Sequence, residues 1–328
     1  MTRVVLVVGL LAEILIARVA GAGPILPKFS LDPASPSIDG SITPDDVLSA
    51  GPTVHTHGTA LGLQDSFFTG FFDALDALSY GRDPLITPLY FSVDRVAVGT
   101  PGSAVNMEAA PGVEEAHGDV FRALPPLGSN VQRIDEEALG LVPGFFGDAI
   151  NALELDSRPR PYTYFSIDAL SASNNFGNGT LANDILISVG NGVFGLFAQG
   201  EAHMGLLPLD DLDALVLLDR GKRGQLEPGL DVAWFSLSTF SPSAFTFTGN
   251  PYIAGVQQHL SPSDILFTDF TGTFSLAFSA GSIGMRPDDD TVAIDTVPEP
   301  SSLILLAIAG IGAARARRVS ATVIDRRQ

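Results

Sequence analysis

The stretch Phe165–Leu215, FSIDALSASNNFGNGTLANDILISVGNGVFGLFAQGEAHMGLLPLDDLDAL, holds four short words in a fixed order. They are Phe-Ser-apolar at Phe165, Asp-apolar-apolar at Asp184, apolar-Gly-apolar at Met204 and DDLDAL at Asp210. Each word returns three more times. The first gives FSLD at Phe29, FSVD at Phe91 and FSLS at Phe235, and the second DVL at Asp46, DVF at Asp119 and DIL at Asp264. The third gives LGL at Leu61, LGL at Leu139 and IGM at Ile283, and the fourth DALDAL at Asp73, DAINAL at Asp148 and DDTVAI at Asp289. Agreement in one word is cheap, but four words in one order at intervals of roughly 60 to 80 residues mark an internal repeat.

Within a unit, YFSID, DILISV, VFGLFA and DALVLL are short aliphatic or aromatic runs bounded by Gly, Asn, Asp or Pro, which is how strands read. Gly190–Gly192 between two of these runs, and Thr271-Gly272 in the next unit, are tight hairpin turns. A unit therefore holds about four strands, and the chain is expected to be all-β. Two packings suit four such units. One is a four-bladed β-propeller-like ring; the other is a β-sandwich pair, because blades of ~70 residues are large beside the ~40–50 of common propellers. The ring is preferred. If a blade runs from DALDAL to LGL, the early FSLD unit and the late DDTVAI word complete one blade between them and close the ring across the termini.

Composition sets outer limits. The chain has 328 residues, is 45% apolar and has a mean hydropathy of +0.28, so it can bury a sizeable core. Its 34 Gly, 23 Pro and charged fraction of 17% favour many short turns over long helices. A net charge of -19 leaves no basic face for a phosphate backbone, so no nucleic-acid partner is expected, whereas Ca²⁺ suits such a chain. With no cysteine, disulfides, thiolate catalysis and cysteine-ligated metals are excluded.

Both ends differ from the middle. Arg3, the apolar run Val4–Ala17 and the small residues Ala20 and Ala22 have the order of a secretory signal peptide over residues 1–22, read by the Sec translocon. Glu13 interrupts the run, and an uncleaved anchor or a first strand is the other reading. Near the other end stands Val297–Arg318, VPEPSSLILLAIAGIGAARARR. Its apolar part, Leu303–Ala314, makes a transmembrane helix only ~18 Å long against a ~30 Å hydrocarbon core, a poor permanent anchor. Pro298 and Pro300 stop structure arriving from upstream, and Arg315, Arg317 and Arg318 hold this end on the cytoplasmic side.

This order of Pro-Glu-Pro, apolar helix and arginines resembles the PEP-CTERM sorting signal of Gram-negative, exopolysaccharide-producing bacteria. The resemblance covers the C-terminal ~30 residues only. It implies an exosortase as partner, with Pro298, Glu299 and Pro300 as the recognition element, Arg315, Arg317 and Arg318 as the stop, and a transient stay in the membrane. The tail at 319–328 is longer than such tails usually are. The expected division is thus a signal peptide at 1–22, a repeat-built β domain at 23–296, a sorting signal at 297–318 and a cytoplasmic tail at 319–328.

Chemistry in the body is sparse. Asp73, Asp148, Asp210 and Asp289 open the fourth word, and Asp32, Asp94 and Asp168 follow the first. They are candidate Ca²⁺ ligands, although an aspartate before a strand more often caps a turn, and Ser238 breaks the second series. Ser37–Asp46, SIDGSITPDD, resembles half a calcium loop but offers Ser35 and Ser37 where acidic ligands belong. His55 and His57 could share a strand face as a metal pair, while His117, His203 and His259 are scattered through their units. Glu136-Glu137 and Asp210-Asp211 are acid–base candidates only as in any acidic chain, and Trp234 is expected in the core. No catalytic residue is assigned. The expected protein is a noncatalytic structural or binding component of the outer surface or the exopolysaccharide matrix. A secreted glycan-acting hydrolase or lyase and a calcium-dependent adhesion module are the alternatives.

Overall fold

The computed structural model describes residues 26–64, 73–81, 88–124, 128–156, 161–174, 180–245 and 260–296; both terminal helices expected from sequence, and His259, lie outside them. Among the described residues there are sixteen strands, numbered here in chain order, in four sheets of four. Blade 2 comprises β4 (Leu75–Ser79), β5 (Tyr90–Val93), β6 (Val120–Ala123) and β7 (Asn130–Ile134). Blade 3 comprises β8 (Ile150–Asp156), β9 (Tyr162–Ile167), β10 (Ile185–Ser188) and β11 (Phe194–Ala198). Blade 4 comprises β12 (Leu212–Leu218), β13 (Val232–Leu237), β14 (Ile265–Thr268) and β15 (Phe274–Phe278). Blade 1 takes strands from both ends: β16 (Thr291–Asp295) pairs with β1 (Lys28–Leu31), followed by β2 (Val47–Ser49) and β3 (Thr53–Thr56). The fold is a four-bladed propeller closed across its termini, with the blade limits set by DALDAL and LGL.

The fourth word forms the innermost strand of every blade. An inner edge strand has one row of backbone groups without a strand partner, and buried N–H groups must be satisfied. Neighbouring blades supply the acceptors. Leu155 N–H donates to Ser79 Oγ at 3.1 Å, Leu217 N–H to Glu154 Oε2 at 3.4 Å, and Tyr80 N–H to Asp295 Oδ2. Equivalent positions meet in each case, so β4, β8, β12 and β16 run in the same direction around the centre.

The Phe-Ser word is the second strand. Phe29, Phe91, Phe165 and Phe235 are fully buried between blades, in apolar layers such as Phe165 with Ile150 and Val120, or Phe235 with Tyr164 and Leu215. The serine stitches blade to blade: Ser30, Ser166 and Ser236 Oγ donate to the carbonyls of Leu75, Leu212 and Thr291 on the next inner strand. Ser92 departs from the pattern and donates to His117 O.

The third word is not a strand. It ends a single helical turn after the outermost strand, where Gly62, Gly140, Gly205 and Gly284 adopt φ of 79°, 91°, 76° and 81°. A side chain is disfavoured there by conformation and by space, since a Cβ on Gly205 would lie 2.6 Å from Gly272 O in the neighbouring blade. The aspartate of the second word holds that helical turn from below. Asp46, Asp184 and Asp264 each accept from the first N–H of the turn, at Gly58, Gly200 and Ala280, and also from Thr43, Leu181 and Ser261 N–H.

Candidate functional site

Asp73, Asp148, Asp210 and Asp289, the candidate metal ligands of the repeat, are buried hydrogen-bond hubs. One carboxylate oxygen of each accepts the N–H just after the third word: Gln64 to Asp73 at 2.7 Å, Val142 to Asp148 at 2.8 Å, Leu207 to Asp210 at 2.7 Å and Arg286 to Asp289 at 2.8 Å. Three of them also bind a serine through both its N–H and Oγ: Ser173 on Asp148, Ser243 on Asp210 and Ser37 on Asp289. Asp73 takes the N–H groups of Val98 and Gly99 instead. These oxygens are committed to backbone and serine donors, and among the described residues no three of the repeat aspartates bring ligand atoms within 4.8 Å of one another. Asp210→Ala is expected to lower stability by roughly 3–5 kcal/mol, because it leaves buried donors unsatisfied. Thermal melts with and without chelator should show the same loss; a loss abolished by chelator would assign calcium to these residues.

A different set of acids converges where the inner strands begin. In every blade the inner strand bulges by one residue against its neighbour, and the skipped residues are Asp76, Asn151, Asp213 and Val292. Asn151 Nδ2 reaches across to blade 4, donating to Leu212 O at 2.9 Å, Asp213 Oδ1 at 2.8 Å and Asp211 Oδ1 at 3.2 Å. Asp290 Oδ2 is held by Thr239 N–H and Oγ1 at 3.1 and 2.7 Å. Asp213 hydrogen-bonds to Asp290, so one of the two carries a proton. Asp32 and Asp168, which also cap turns through Ala34 and Leu170 N–H, and Asp94 form an outer ring. The nearest cation is Arg95, 3.8 Å from Asp168.

Burial, with the neighbouring carboxylates, favours the neutral form of Asp76, Asp94, Asp211, Asp213 and Asp290. Burial, then Asp94 and Asp168, raises Asp76 well above the usual range, and burial, then Asp290 and Asp211, does the same to Asp213. Burial also pushes Asp211 up to about 8, Asp94 to about 7 and Asp290 to about 6. Asp213 and Asp290 bond directly, too close to straddle a glycosidic linkage, whose two catalytic carboxyls stand roughly 5–10 Å apart. Asp210 and Asp211 diverge, the first to its hub and the second to this mouth.

The remaining candidates have local roles. His55 and His57 are exposed, and His57 leaves the strand to sit 3.2 Å from Asp46. His203 Nδ1 accepts Gln199 N–H at 2.9 Å. His117 is buried against Arg95 Nη1 at 3.1 Å, and burial, then that guanidinium, lowers its pKa to about 4. Arg95 and His117 line a groove of about 500 Å³ with Gln64, Val98, Glu114 and Phe145. Of the calcium-like stretch, Asp39 binds Ser41 N–H and Oγ, and Asp46 holds the helical turn. Trp234 is half-buried against Phe267 in the layer between blades 4 and 1. Sequence reasoning missed the inner acidic mouth, although a polar residue in the middle of DALDAL, DAINAL and DDLDAL was its signal.

The last strand, β16, leaves the acidic mouth at Asp290, crosses the centre and ends at Asp295. One residue later the character of the chain changes. Residues 296–318 match the family model of the PEP-CTERM protein-sorting motif. The PEP-CTERM motif covers Pro298, Glu299, Pro300 and the three arginines named above, and it supports export and sorting by an exosortase. Comparison with curated proteins and with solved structures finds no significant match to either.

Proposed function

We propose that the protein is a noncatalytic, exported propeller that an exosortase sorts to the outer surface, where it serves as a structural or binding component of the exopolysaccharide matrix. The observation that carries this reading is positional: the ring closes at Asp295 and the sorting motif begins at residue 296. Removal of the motif would leave every blade complete. Because the inner strands run in the same direction, Asp295 ends β16 at the mouth opposite Asp76 and Asp213. Residues 1–22 would serve as the export signal and residues 319–328 as the tail lost with the motif. The tightly paired Asp213 and Asp290 favour binding over glycan hydrolysis.

The test replaces Pro298 and Pro300 by alanine in the full chain, expressed in an exosortase-bearing host. Expected is an unprocessed, membrane-retained form in place of a shortened, surface-released one, read by immunoblot of cell fractions. Processing that continues unchanged would remove the sorting reading.

A further inference from the structure

Blade 2 breaks the repeat at one place. The first residue of the helical turn is Gly58, Gly200 and Ala280 in blades 1, 3 and 4 but Glu136 in blade 2. A side chain has no room in blades 1 and 3, where a Cβ would lie 1.8 Å from Asp45 Oδ2 or 2.3 Å from Asn183 O. Blade 2 exchanges the two positions. Gly118 replaces Asp45 and Asn183, and Glu136 fills the space, so close that a Cβ on Gly118 would lie 2.9 Å from the Glu136 Cβ.

The glutamate so accommodated is only 2% exposed, and its Oε1 meets no hydrogen-bond donor. A carboxylate buried with an unused oxygen is costly unless something else compensates it. Its neighbours are also acids. Ligand oxygens of Asp119, Asp135 and Glu136 lie within 4.8 Å of one another, and Glu115, from the loop between β5 and β6, lies against Glu136. None of the four forms an ion pair with Lys, Arg or His among the described residues.

We propose that Glu115, Asp119, Asp135 and Glu136 bind one hard divalent cation, Ca²⁺ foremost. Oxygens on a common ion at about 2.4 Å stand no more than ~5 Å apart, which is the spacing of Asp119, Asp135 and Glu136, with Glu115 beside them. The site is already anchored: Asp119 Oδ1 accepts Glu136 N–H at 3.0 Å, Asp119 Oδ2 accepts Gln132 Nε2 at 2.9 Å, and Asp135 Oδ1 accepts Glu137 N–H at 2.9 Å. Each keeps a lone pair for a cation. Asp135 is exposed, which opens the site to an ion and to completing waters. Without a cation the crowding is relieved by protons; burial, then Glu136, pushes Asp119 up to about 10 and Glu115 up to about 7. The Gly118/Glu136 exchange, with Glu115 brought up by the β5–β6 loop, then makes blade 2 the ion-binding blade.

The experiment is calorimetric titration of Ca²⁺ into the full chain, freed of metal and held near neutral pH, with thermal melts alongside. One ion per chain is expected, and saturating Ca²⁺ should raise the melting temperature by several degrees. Glu136→Ala, which installs the residue blade 4 has at this position, should weaken binding at least tenfold. Without Ca²⁺ the same variant should melt at or above the parent temperature, because the like-charge crowding is gone. Glu115→Gln, on the open side of the site, should weaken binding without touching the core, and Asp210→Asn should leave the affinity unchanged. Absence of Ca²⁺ or Mg²⁺ binding at millimolar concentration would overturn the proposal. So would binding that both Glu136→Ala and Glu115→Gln leave intact.

Discussion

In chelating buffer the melting temperature is expected to fall by ~10 °C between about pH 6.5 and about pH 8.5, and Asp213→Asn should make that fall shallower. In the unfolded chain every carboxyl is ionised above about pH 5. In the fold, burial raises Asp76 and Asp213 well above the usual range, Asp119, raised to about 10, keeps its proton through this window, and Asp211, raised to about 8, releases its own within it. Folded pKa values above the unfolded ones mean that stability is highest at low pH and is lost as pH rises. Each retained proton costs ~1.4 kcal/mol per pH unit, so Asp119 across two units together with Asp211 up to its release amounts to ~5 kcal/mol. At about 2–4 °C per kcal/mol for a body of this size, the drop is ~10 °C or more. His117, lowered to about 4, acts in the opposite sense but only below its ordinary value of 6.5, which is why the window starts there. In Asp213→Asn the amide oxygen still accepts from Asn151, and the new N–H donates to Asp290 as the protonated acid does, without charge at any pH. A flat parent profile would show that the mouth is wetter and less coupled than its geometry implies.

Ring closure makes the second prediction. A chain ending at Thr296 should fold and melt cooperatively, whereas one ending at Asp290 should not fold. β16 contributes Thr291, Val292, Ala293, Ile294 and Asp295, all buried, and it is the inner strand of blade 1. Burying Val292 and Ile294 alone is worth ~3–6 kcal/mol, and the lost strand also strips hydrogen-bond partners from β1 and from Tyr80 N–H. Marginal stability of ~5–15 kcal/mol does not survive that together with an opened centre. Circular dichroism and limited proteolysis of the two chains would decide it. A folded chain ending at Asp290 would mean that the blades hold without closure, and the position of the sorting motif directly after Asp295 would lose its structural meaning.

The four-word repeat was legible because each word has a local physical cause that recurs. A phenylalanine is needed between sheets, a serine to stitch blades, an aspartate to hold a turn, and a glycine where φ is positive. Those needs act over a few residues, so they leave marks in the sequence. The helical turn before each Gly of LGL was missed, since a single turn is too short to show helical periodicity. The acidic mouth was also missed. Asp76, Asn151 and Asp213 are unremarkable in their own segments, and they meet only because bulges turn equivalent positions of separate blades toward one centre. Glu136 carried the same limitation, since its meaning depends on Gly118 and Glu115.

By itself the sequence determined the four-fold repeat and the sorting address, because each is written in contiguous or periodic residues, and it left the ring and the sandwich pair for the structure to separate. Only the tertiary structure decided which aspartates are committed to backbone donors and which are left facing one another. That distinction depends on distances between blades, which a linear chain does not record.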